Sequence, residues 1–254
     1  MRGLLAGYEP PSFAHVPDPD AALFLCAVDH RSGYGCAHVV DGEGTFEGSE
    51  LMWAVALRAA RRAPGLLQAA QLADVTAEDV AGIFEVDGET VAGPGRRADL
   101  WRDLATGLRH DHEGRTANLL DAAGSRLGGA GGLLARLARY RAYDDPLAKK
   151  SQLFAKICER RGWLEVSDPE CWEVSADNVL MRLALRSGLV APGSLEEVRP
   201  ATRAAFKRVA MEADVAPPLL DDLLWELGRE DPDLLGCSAG DLREPSRDER
   251  SSWY

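Results

Sequence analysis

The sequence lacks any apolar run approaching the roughly 18 residues that a membrane span requires. It lacks a Cys-x-x-Cys pair. Cys26, Cys36, Cys158, Cys171 and Cys237 stand at spacings that match no zinc or iron–sulfur pattern, so no metal and no other cofactor is expected. No glycine loop of the phosphate-cradling type and no Gly-x-Ser-x-Gly elbow is present, which excludes P-loop and α/β-hydrolase chemistry. Basic residues are in deficit: 29 Lys and Arg stand against 41 Asp and Glu, for a net charge of -12. That field repels long DNA or RNA but is compatible with a small nucleotide in a local basic pocket. No internal repeat and no obvious linker interrupts the chain. The odd cysteine count and the absence of a recognisable leader predict a reducing, cytoplasmic setting.

What the sequence does have is helical patterning. With 46% hydrophobic residues, its 254 residues can bury a sizeable core. The expectation is a mainly α protein: one helical domain over 21–230, a proline-rich surface arm over 1–20, and a polar, acidic tail over 231–254 that ends in Trp253 and Tyr254. Residues 21–28 read as an apolar helix or a buried strand. Residues 36–40 and 44–46 flank Asp41-Gly42, a hairpin-turn dipeptide, and form the one β element expected. Ser49 is placed to cap a helix over 50–62, and Thr76-Ala-Glu-Asp carries a capping signature. Further helices are predicted over 98–109, 115–126, 132–143, 147–161, 176–187, 194–213 with an interruption at Pro200, and 219–228.

Two features carry chemistry. Lys149 and Lys150 fall in the first turn of a predicted helix, where they oppose the helix dipole and where free N–H groups attract anions. Between Arg136 and Arg161 eight Lys and Arg face three Asp and Glu, a basic island in an acidic chain that is equally readable as a solvated helix face. The second feature is Asp177, at the start of an amphipathic helix. An N-cap is the most frequent role of aspartate there; a carboxylate so fixed also suits the stabilisation of positive charge on a sugar. His30 beside Asp29 suits either the orientation of a base edge or a structural role. Tyr34, Phe46 and Trp53 suit stacking on a base, although core packing is the commoner use. His110 and His112 lie two apart at a helix end and face different directions, against a shared metal. Asp221 and Trp225 are four apart and share a helix face.

A lysine near one helix start, followed about thirty residues later by an aspartate opening the next amphipathic helix, resembles the helical DNA-glycosylase superfamily. It also resembles the queuosine salvage family, whose members hydrolyse queuosine 5′-phosphate to release its base. The segments carrying that resemblance are Lys149-Lys150-Ser151-Gln152-Leu153-Phe154, Ser175-Ala176-Asp177-Asn178-Val179, the Asp29-His30 and Tyr34 region, the helix holding Glu50 and Trp53, and Leu220-Asp221-Asp222-Leu223-Leu224-Trp225. Their order holds over roughly 20–230. The chain departs from the family at Asn178, where an aromatic is expected, and at Glu50, where the family has Trp. No helix-hairpin-helix glycine motif is visible. The resemblance implies a glycosylase-like helical fold and cleavage of an N-glycosidic bond in a 7-deazapurine nucleotide or nucleoside. Asp177 and Lys149 would be catalytic, and Lys150, His30, Asp29, Tyr34, Glu50, Asp221 and Trp225 would contact substrate. The alternatives are a base-excision DNA glycosylase or lyase and a non-catalytic nucleotide- or partner-binding relative.

Overall fold

The computed structural model describes residues 2–5, 7–246 and 252–253. It is mainly helical with one two-stranded sheet, as expected. After a short α1 (Arg2–Leu5) comes α2 (Pro19–Val28), which lies within the larger buried cluster. Asp18 caps it by accepting the Ala21 N–H at 2.8 Å, and Pro19 supplies a preset φ at the first position. Every residue from Ala21 to Val28 is buried, which resolves the helix-or-strand ambiguity: a helix apolar all round is enclosed all round. The arm is less superficial than its composition suggests, since Val16 is fully buried. Met1 and Ala6 lie outside the described residues.

Strands β1 (His38–Val40) and β2 (Gly44–Phe46) pair antiparallel with His38 opposite Phe46, around the expected Asp41-Gly42 turn. The helix α3 (Gly48–Arg62) starts two residues before the predicted start, with Ser49 inside it and Glu47 at the cap position. There follow α4 (Ala69–Leu72) and α5 (Ala77–Ile83), the latter opened by a reciprocal Thr76–Asp79 capping box. Next come α6 (Pro94–His112), α7 (Thr116–Ala123) and α8 (Leu133–Leu137). The helix predicted over 132–143 breaks after α8 and resumes as a 3₁₀ turn, Arg141–Tyr143. The last helices are α9 (Lys149–Arg160), α10 (Asn178–Ser187), α11 (Leu195–Ala213) and α12 (Pro217–Glu230). Contrary to expectation, α11 runs through Pro200 without a break.

The buried residues divide into two main clusters. One, from Val16 to Trp172, surrounds α2; the other, from Val174 onward, is built by α10, α11 and α12. A seam of ion pairs joins them. Arg199 of α11 grips Asp145 through two hydrogen bonds at 2.7 and 2.5 Å. Lys156 of α9 meets Asp221 and Asp222 of α12 at 2.7 and 2.6 Å. Arg160 of α9 also reaches Asp222. Buried pairs of this kind add little net stability but fix the relative setting of the elements, because breaking one strands a charge.

The acidic tail is only partly a free polar segment. Glu244 takes a bidentate pair from Arg182, Asp233 takes another from Arg186, and Leu234, Leu235, Leu242 and Trp253 pack on the second cluster. Residues 247–251 and Tyr254 of that tail lie outside the described residues. No helix among the described residues is long and apolar enough to cross a membrane.

Candidate functional site

The end of α2 is the centre of the site. A helix leaves its last carbonyls without intrahelical donors, and at a buried end these need partners from elsewhere. Lys150 supplies one: its Nζ donates to the Ala27 carbonyl at 2.6 Å and lies 3.2 Å from His30 Nδ1. Arg97 supplies others, donating to the carbonyls of His30, Arg31 and Ala92. Both side chains are buried, at 0% and 2% exposure. Burial, then the charge of Lys149, brings the Lys150 amine down to about 7. Burial lowers Arg97 to about 10. His30 is held well below the usual histidine range by burial and then by Lys150, Arg97, Arg96 and Lys149, so it is neutral.

These cations come from the first turns of two helices. Arg96 and Arg97 open α6, Lys149 and Lys150 open α9, and neither first turn holds an acidic residue. The dipoles of both helices add to the positive field around His30. The N-terminus of α9 is set by Asp145, whose carboxylate accepts the Leu147 and Lys149 N–H groups, both at 3.0 Å, while Ala148 takes a left-handed conformation at φ 49°. Burial alone would raise Asp145, but the Arg199 guanidinium outweighs it and holds the carboxyl below its ordinary value.

Asp177 lies within the electrostatic reach of Lys149. It caps α10, with Oδ1 accepting the Leu180 N–H at 3.0 Å, and is 7% exposed. The cap anticipated from sequence is therefore present. Burial raises its carboxyl to about 6; the charge of Lys149 and the Leu180 N–H offset this only in part, and Asp221 adds to it. No lysine or arginine pairs directly with it among the described residues. The Lys149 side chain is half-buried and likewise makes no hydrogen bond or ion pair among the described residues.

The anticipated residues divide into three groups. Asp29, His30, Lys149, Lys150, Asp177 and Asp221 are electrostatically coupled around the junction of α2, α6, α9 and α10. Within that group Lys150 turns inward, so it supports His30 and does not face solvent. Asp221 is committed to Lys156 and to the Ser175 N–H at 2.7 Å. Tyr34 is close by: its hydroxyl donates to the Phe84 carbonyl at 2.6 Å, and burial raises it to about 12, so it is a neutral phenol. Glu50 and Trp225 form a separate group on the outside, joined by Arg229, which pairs with Glu50 at 3.1 Å and lies 4.6 Å over the Trp225 ring. No hydrogen bond or ion pair among the described residues links that group to His30 or Asp177. The basic island is not one patch either: Lys150 and Lys156 point into the protein, Arg160 to Asp222 and Arg139 to Asp111.

Phe46 and Trp53 pack against core clusters, Phe46 on the hairpin side and Trp53 on the main one. His110 is exposed and His112 buried, so the two face apart as expected. Arg96, Arg97, Asp145 and Arg199 were missed. A basic pair directly after Pro94-Gly95 carries the same signal as Lys149-Lys150, and reading both helix starts together would have found it.

No protein-family model matches the chain, and no curated protein matches it.

Proposed function

We propose that this chain is an N-glycosyl hydrolase acting on a small anionic nucleotide or nucleoside of the 7-deazapurine, queuosine-like class. The observation that carries the reading is Asp177: a buried, cap-fixed carboxylate with a pKa of about 6, set beside the unpaired Lys149. As the C1′–N bond breaks, the bonding pair leaves with the base and positive charge builds on the sugar. The ionised Asp177 stabilises that charge and accepts a proton from the water whose oxygen attacks C1′. A value near 6 leaves the carboxylate ionised at neutral pH yet basic enough to take the proton. Lys149 meets the substrate phosphate, and Arg96, Arg97 and Lys150 supply the surrounding positive field. A local cluster of cations in a chain of net charge -12 favours a small anion over a polymer. A reducing, cytoplasmic compartment is part of the reading, and five free thiols support it.

One observation favours a second reading, a base-excision lyase. The Lys150 amine near 7 has the neutral form that a Schiff-base nucleophile needs. Its complete burial argues against direct attack.

Chromatography after incubation with queuosine, its 5′-phosphate and ordinary purine nucleotides tests the main reading. Free base is expected from the queuosine-type 5′-phosphate, and lost in Asp177→Asn. Borohydride trapping on damaged duplex, abolished by Lys150→Met, would select the lyase instead. A thermal shift with these nucleotides and no turnover would make the chain a binding protein only.

A further inference from the structure

The hairpin region holds a second constellation, independent of Asp177. Cys36 and His38 are two residues apart where the chain enters β1, so their side chains leave the same face. Opposite them, Val86 and Glu89 exchange two backbone hydrogen bonds of 2.9 Å around Asp87 and Gly88. Both central residues are left-handed, at φ 49° and 83°, the requirement of a type I′ turn. That rigid turn brings one carboxylate to each nitrogen of His38.

Asp87 Oδ2 lies 3.0 Å from His38 Nδ1. An ionised carboxylate only accepts, so Nδ1 carries the proton and the Nε2 lone pair points the other way. There it meets Cys36 Sγ at 3.6 Å and Glu89 Oε2 at 3.5 Å. The Gly35 N–H donates to the same Glu89 oxygen at 3.0 Å and fixes it. The three ligand-type atoms all lie within 4.8 Å of one another. A tetrahedral ion with metal–sulfur bonds of about 2.3 Å and metal–nitrogen and metal–oxygen bonds of about 2.0–2.1 Å sets S···N near 3.6 Å and N···O near 3.4 Å. The measured separations agree with both. A sulfur, a carboxylate oxygen and an imidazole nitrogen thus converge on one point, as the ligands of a single cation do.

We propose that Cys36, His38 and Glu89 bind one zinc-class divalent cation, with Asp87 orienting His38 from behind and the fourth position open to solvent or an exogenous ligand. The borderline-soft donor set of one sulfur, one nitrogen and one oxygen suits zinc better than magnesium or calcium. The carboxylate behind the histidine is the support that metal-bound imidazoles ordinarily have. Sequence spacing missed the site because Glu89 follows His38 by about fifty residues, and only the two hairpins bring them together.

The test uses the full chain, stripped with chelator and titrated with Co²⁺ and then Zn²⁺. One equivalent of Co²⁺ should bind with proton release, tetrahedral ligand-field bands and a thiolate-to-cobalt charge-transfer band, and Zn²⁺ should displace it and bleach those bands. Cys36→Ser at its exposed position should remove the charge-transfer band, Asp87→Asn should weaken binding about 10–100-fold, and Cys237→Ser should change nothing. Circular dichroism confirms that each variant is folded. Absence of stoichiometric binding to the wild type would overturn the proposal and leave a proton on Nε2 as the occupant of the cluster. A charge-transfer band that survives Cys36→Ser, or that disappears in Cys237→Ser, would overturn it equally.

Discussion

The two ends of α9 carry the same kinds of residue in opposite states. Near its C-terminal end, Lys156 meets two carboxylates; burial opposes its charge, but Asp221 and Asp222 win and hold the amine above its ordinary value. At its N-terminal end Lys150 meets only a carbonyl and a neutral histidine, and burial brings the amine down to about 7. The carboxylates repeat the contrast. Asp145, gripped by Arg199, is held low, whereas Asp177, without a cation in contact among the described residues, rises to about 6. Charges that are paired serve the seam between the two cores. Charges that are buried and unpaired reduce stability, and such groups mark working sites more often than structural ones.

The largest effect should come from the unpaired end. Asp177→Asn keeps the α10 cap, because asparagine caps as well as aspartate, yet it should lower turnover by about 10²–10⁴-fold in the base-release assay. Full activity in this variant would end the catalytic reading. At the paired end the effect should appear as instability: Lys156→Met leaves Asp221 without a cation in contact and Asp222 with Arg160 alone, and should lower unfolding free energy by about 3–5 kcal/mol in denaturant titration. A loss comparable to a surface substitution would mean that the seam is not a true buried network.

Asp177→Asn should then differ in sign from Lys156→Met. The folded pKa of Asp177 is raised, so the ionised form at pH 7 costs stability, by at most about 3 kcal/mol for a shift of roughly two pH units. The variant should therefore be more stable than wild type at pH 7. The gap should narrow as pH falls through 6 and close below about 4, where the carboxyl is protonated in both folded and unfolded chains. Catalysis should fall over the upper part of the same window, because it needs the ionised carboxylate. The smallest effect is expected for Lys149→Gln: KM for the phosphorylated substrate should rise about tenfold, with little change for the nucleoside, the size of one charged hydrogen bond. Equal rises for both substrates would remove Lys149 from the phosphate.

The sequence made local features legible and long-range ones not. The Thr76–Asp79 box, the Asp41-Gly42 turn and the α10 cap at Asp177 depend on neighbours within four residues, and all three formed as expected. Lys149 and Lys150 were visible as a pair, but which one turns inward depends on the phase of α9 against α2, a relation between segments more than a hundred residues apart. The ion pair of Asp145 with Arg199 spans 54 positions and leaves no local trace. The same limit hid Arg97, whose acceptors lie in loops far from it in sequence.

The contrast between the two carboxylates can be measured directly by ¹³C-detected titration of aspartate side chains in the wild-type protein. The account predicts that Asp177 titrates near 6 while Asp145 titrates below the ordinary aspartate range. If both titrate together in the ordinary aspartate range, the unpaired end of α9 is no different from the paired one, and the assignment of Asp177 as the working carboxylate fails.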